Sequence, residues 1–301
     1  MKIQQTQITR RRPFQLATIA VVSGLILGAC SSSNAPSGSS SHTSTIGVQV
    51  TSAQLAQIRA TYSKTISAKS AQIDAQVSLG SGTSIQATGP FEMQQGTGQL
   101  DLNFGNTQIA RALKNPTTLM YYNNTIYLEA SGIITSFDQN KPWAQLTHSA
   151  ISQLFCLLIP GSSGGVSSAL TSVNPIDFLE IFSTPDLSAR EISVPVGQPK
   201  NLAYYNVSID IPEAITRSTG VQRQILELLK SGSTGRLKAT VGINSDGATQ
   251  YLSTAFISGG TQVGVVLGLS SFGLAVNVQP PQANQVGQLN VPGGCLSQSA
   301  G

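Results

Sequence analysis

Charge is what this 301-residue chain has least of, with only 10% of its residues Asp, Glu, Lys or Arg. Four of its 17 cationic residues (Lys2, Arg10, Arg11 and Arg12) precede Cys30, whereas all 13 acids follow it. The formal charge of +4 therefore belongs to the first stretch, and the remainder is balanced. No cluster of Lys or Arg stands beyond residue 30, and binding a nucleic acid needs a basic patch or stripe. That partner is excluded. Histidine is equally scarce, with only His42 and His148. Together with Cys30, Cys156 and Cys295 they show no ligand spacing, so neither a metal site nor a cofactor is expected. A catalytic constellation is missing too. Residues 161–165 read Gly-Ser-Ser-Gly-Gly, which lacks the spacing of a nucleophile elbow. Asp177 and Glu180 read as a solvated helix face, and His148 as a surface or capping residue, so no enzyme is expected.

What is present begins with residues 10–30. Three arginines are followed by an apolar run from Phe14 to Leu27, too short for a stable membrane span, and by Leu27-Gly28-Ala29-Cys30. This layout resembles an exported lipoprotein signal. It implies cleavage before Cys30, lipidation of that cysteine, and a lipid-anchored protein on the extracytoplasmic face of the cell membrane. Residues 1–29 are then the signal, and residues 30–51 a Ser-rich tether. About 20 such residues span roughly 25 Å as a random coil, enough to hold a domain clear of lipid head groups. In that oxidising compartment Cys156 and Cys295 either form a disulfide or stay apart, Cys156 as a buried thiol in its apolar run.

Periodicity divides the rest. Leu55, Ile58, Tyr62 and Ile66 fall at helical spacing over residues 52–67. The period then drops to two. Residues 73–79, 85–93 and 98–104 alternate apolar with polar, and residues 119–122 and 125–130 form a hairpin about Asn123-Asn124. Residues 147–159, 174–182 and 213–230 are apolar and helix-compatible, with Asn174 and Pro175 as cap and first turn of the second. Alternation returns at residues 203–211, 237–243 and 250–257, and in an expected closing hairpin of 263–269 with 272–278. The expectation is an α+β fold, a single antiparallel sheet of roughly ten strands with one dry face, curled because so wide a sheet does not stay flat. Apolar helices would cover its concave face, either filling it or leaving an apolar cavity.

The order of an amphipathic helix, strands, the segment Lys141-Pro142-Trp143-Ala144-Gln145-Leu146, apolar helices and further strands resembles the LppX/LprG family of actinobacterial lipoproteins. So does the ending, Gly268-Leu269-Ser270-Ser271-Phe272-Gly273 running into Val276-Asn277-Val278-Gln279-Pro280-Pro281. The likeness covers most of residues 52–292, leaving 293–301 as a tail. The resemblance groups the chain with the LolA/LolB carriers, which are curled half-barrels. It implies a cell-envelope protein that holds the acyl chains of a lipid or glycolipid between sheet and helices, with an export or acceptor protein as partner. Leu154, Phe155, Leu158, Phe178, Leu179, Phe182, Leu226 and Val265 are the expected lining. The alternative is a surface-anchored structural or interaction lipoprotein with a filled core and no ligand.

Overall fold

The computed structural model describes residues 47–80, 82–105, 117–129, 141–147, 175–230, 235–258 and 261–288. The expected signal, residues 30–46 of the expected tether, Cys30, Cys156, Cys295 and residues 148–159 of an expected helix lie outside them. After a short strand β1 (Val48–Gln49), Thr51 starts the first helix with a capping box. Its hydroxyl accepts the Gln54 N–H at 3.2 Å, and the Gln54 amide oxygen accepts the Thr51 N–H at 2.9 Å. The expected single helix is two, α1 (Ser52–Arg59) and α2 (Thr61–Ser67), broken at Ala60. Thr61 and Thr65 turn their hydroxyls back onto the carbonyls of Ile58 and Thr61, at 2.9 and 2.7 Å, a bonding pattern that bends helices.

Two antiparallel meanders make the sheet. The first is β2 (Ser70–Leu79), β3 (Thr83–Glu92), β4 (Thr97–Asn103), β5 (Thr117–Tyr122), β6 (Thr125–Glu129) and β7 (Trp143–Leu146). The second is β8 (Leu187–Ile192), β9 (Ala203–Asp210), β10 (Arg236–Ile243), β11 (Thr249–Ser258) and β12 (Thr261–Ser270). Their seam is the β12–β2 ladder, where Val265 faces Val77 and Leu267 faces Ala75. The chain's described ends close the two outer edges. β1 pairs with β8, and β13 (Val286–Gln288) runs parallel to β7. The β5–β6 hairpin turns on Asn123 and Asn124, at φ 48° and 61°, the left-handed pair that a two-residue hairpin needs and asparagine tolerates.

The α+β class and the single sheet match expectation. The strand count and the curl do not, because among the described residues the sheet has thirteen strands, is open and uncurled, and includes one parallel pair. The additional strands are mostly short edge pieces, two to four residues long in β1, β7 and β13, too brief to show alternation. An open sheet of this width lies within the range known for large open sheets. Residues 272–278 form no strand. Ser271 and Gly273 both take left-handed φ, 50° and 77°, and carry the chain off β12 across the strand ends. There the Ser70 hydroxyl bonds the Leu274 carbonyl at 2.6 Å.

The helix expected over 213–230 is also split, into α3 (Ile211–Arg217) and α4 (Gly220–Lys230). Asp210 caps α3 by accepting the Glu213 N–H at 3.3 Å, and Gly220 at φ +57° restarts the chain for α4. The expected helix over 174–182 is a 3-10 helix, Asp177–Ser183. These helices pack on one face of the sheet. Ile58, Leu179, Phe182, Ile211 and Leu226 have no exposed surface, and with Val207, Ile209, Val241 and Leu252 they form a filled core. No described helix is long and apolar enough to cross a membrane.

Candidate ligand-binding surfaces

Beyond that core the helix-side face of the sheet stays apolar. Register aligns Val265 with Val77 and Val77 with Ile85, and sets Val263 beside Leu79 and Phe256. These residues form a small cluster of their own. A second cluster lies toward the other edge, where Leu119 pairs with Leu128 and Leu128 with Ala144, beside Leu102 and Leu146. Val77, Ile85, Phe256, Val265, Leu102 and Leu146 are only half-buried. The two patches are continuations of one dry face, past the margin of the described helices.

Of the residues expected to line a site, Leu179 and Phe182 on the 3-10 helix and Leu226 on α4 are packed inside the main core with 0% exposure. Phe178 is half-buried against the same core. Val265 stands apart from these four, in the strip on β12. Leu154, Phe155 and Leu158 lie outside the described residues. Sequence reasoning missed Val77, Ile85 and Phe256 as neighbours of Val265, although the same alternation marks them.

The opposite, outer face carries a groove of about 1020 Å³ across the second meander. Its side chains sit in rows between core positions. Arg190, Asn206 and Thr240 lie side by side on β8, β9 and β10, as do Ser188, Ser208 and Lys238. The Thr240 hydroxyl donates to the Asn206 amide oxygen at 2.9 Å, which fixes the middle of the groove. Among the described residues Arg190 and Lys238 are its charged side chains, and no carboxylate lines it. The sequence gives no hint of the concavity, because polar alternates on a strand look the same on a flat face.

Several ionisable groups on the helix side lie against the packed core. Tyr62 on α2 donates to Asp177 Oδ1 at 3.1 Å, tying α2 to the 3-10 helix. Burial, reinforced by the Asp177 charge, holds the Tyr62 phenol above its usual range, so it stays a donor. Burial first, and the Asp177 charge second, raise the Glu180 carboxyl. Tyr121 packs edge-on against Phe91 at 5.6 Å, and burial pushes its phenol up to about 12.

No family model and no curated protein matches the chain. Among the solved structures similar to it are two lipoproteins. The crystal structure of the Mycobacterium tuberculosis lipoprotein LppX shares 14% identity, over 75% of this chain and 98% of that one, with a TM-score of 0.45. LprF from Mycobacterium bovis shares 15%, over 78% of this chain and 100% of that one, with a TM-score of 0.39. These two mycobacterial lipoproteins are of the LppX/LprG type, the group that the order of segments in this sequence resembles.

Proposed function

We propose that this chain is a cell-envelope lipoprotein, anchored through a lipidated Cys30, that holds acyl chains of a lipid or glycolipid against the helix-side face of its sheet. The observation that supports the reading is the half-exposed apolar strip centred on Val77, Ile85 and Val265. Acyl chains need only apolar contact and shape, and each buried methylene contributes about 0.8 kcal/mol. The seat is the strip and not the main core, whose side chains leave no room under the 3-10 helix and α4. Leu154, Phe155 and Leu158 are proposed as further contacts to the acyl chains. An export or acceptor protein would load or receive the lipid.

Native mass spectrometry of protein extracted mildly from its own envelope tests this. Bound lipid is expected as a discrete mass increment that denaturation removes. Protein that carries no lipid, and takes up none from a lipid extract, would overturn the reading. The filled main core would then favour the second one, an anchored interaction protein without a ligand. Anchoring has its own test. Cys30→Ala should move the protein from the membrane to the soluble fraction, and retention in the membrane would remove Cys30 as the anchor.

A further inference from the structure

The cleft beneath the β5–β6 hairpin is unrelated to the apolar strip, because it opens on the outer face of the sheet. Its floor is Tyr122 and Tyr127, with Gln145 directly opposite Tyr127 on β7. Tyr122 pairs with Thr125 at the hairpin end, and Tyr127 with Met120, so the two tyrosines are diagonal neighbours on one face. Asn123 lies at the rim. The far wall is the segment that leaves β12, crosses the strand ends and returns as β13, and Pro280 and Pro281 belong to it. A bond from Lys141 Nζ to the Asn284 carbonyl pins that segment in place. The cleft is open to solvent and has a volume of about 730 Å³.

We infer that this cleft is a binding site for a neutral saccharide. Three features select that chemistry. First, among the described residues no acidic or basic side chain lines it, so an ionic ligand would lose hydration and find no counter-charge there. Second, both tyrosines are half-buried, and among the described residues the paired rings are Phe91 with Tyr121 and Tyr204 with Tyr251, both edge-on. Tyr122 and Tyr127 therefore offer ring surface to a ligand with an apolar face, as the C–H face of a sugar ring is. Third, Gln145 and Asn123 each carry an amide, which donates and accepts at once and so matches hydroxyl groups of either sense. The volume is within the range of about 300–1,000 Å³ usual for small ligands. A proline-rich peptide, the other common partner of an aromatic groove, needs an open track for its length. Here the chain's own Pro280 and Pro281 close one side.

The test is saturation-transfer NMR on the full chain with neutral disaccharides of glucose, galactose and mannose, and with glucuronic acid and a proline-rich peptide as comparators. Transfer is expected to at least one neutral disaccharide and to neither comparator. Tyr127→Ala should weaken that binding by about tenfold or more, and Tyr127→Phe should keep it. If Tyr127→Ala does not fold, Gln145→Ala serves, with a loss of about fivefold expected for its amide contacts. Transfer to none of the disaccharides, preference for the peptide or glucuronic acid, or unchanged affinity in the tested variant would overturn the assignment. Loss of the lipid increment in mass spectrometry would leave it standing, since the two surfaces face opposite ways.

Discussion

Phe182→Ala should lower stability steeply and leave lipid occupancy unchanged in the folded protein, and Val265→Asp should do the reverse. Phe182 has 0% exposure and sits on the 3-10 helix where α4 also packs. Truncating a buried phenylalanine removes its transfer free energy and leaves a cavity, at a cost of about 3–5 kcal/mol. For a domain of this size that corresponds to a fall in Tm of roughly 10 °C. Val265 is half-buried in the satellite cluster, among Val77, Ile85, Phe256 and Val263. A carboxylate there keeps access to water in the free protein, so its cost should stay near about 1 kcal/mol. Against an acyl chain the same carboxylate must be desolvated, and occupancy should drop by about tenfold or more. Calorimetry and native mass spectrometry read the two effects separately. If Phe182→Ala empties the folded protein of lipid while Val265→Asp keeps it, the seat lies in the core and not on the strip.

That contrast also marks how far the sequence could be read. Strict alternation placed β2, β9, β10 and the Asn123-Asn124 hairpin, because apolar residues recur at every second position of each. It failed where a strand is only two or three residues long, as in β1 and β13, since their pairing depends on the neighbouring strand more than on their own pattern. It also failed at residues 272–278, where alternation is good but left-handed backbone at Ser271 and Gly273 turns the segment away from the sheet. The site is harder still. Leu226 and Val265 carry the same signal in sequence, an apolar residue on the dry face. What separates them is depth, which depends on whether a helix from a distant part of the chain lies above. The outer cleft was illegible for a related reason. Tyr127 and Pro280 are more than a hundred residues apart, and nothing in either segment announces the other.

Gly89→Ala should be among the most damaging single changes in the first meander, although it adds only a methyl group. A Cβ at Gly89 would lie 2.0 Å from the Gln99 carbonyl oxygen and 3.1 Å from the Leu100 Cα, both backbone atoms of β4. Backbone cannot swing aside as a long side chain can, so β3 and β4 must part. The ladder already prepares for this close approach. Thr88 pairs with Asp101 and Phe91 with Gly98, and the two positions between are skipped, with Pro90 lacking an N–H to contribute. Gly98 is as tight, since its Cβ would come 2.3 Å from the Phe91 ring. Overpacking of this kind costs about 1–3 kcal/mol and more where backbone must move. At Gly264 on β12, by contrast, a Cβ would meet only the Ser78 Cβ at 3.7 Å, ordinary contact. Gly264→Ala should therefore change stability by about 0.5 kcal/mol or less. Urea unfolding of the two variants gives the comparison. A large fall in midpoint is expected for Gly89→Ala and almost none for Gly264→Ala, and equal shifts would mean that β3 and β4 are not packed this closely. Because β4 also carries Leu100 and Leu102 on the dry face, parting it from β3 should loosen the strip as well. Gly89→Ala is thus expected to lose lipid together with stability, which neither Phe182→Ala nor Val265→Asp should do.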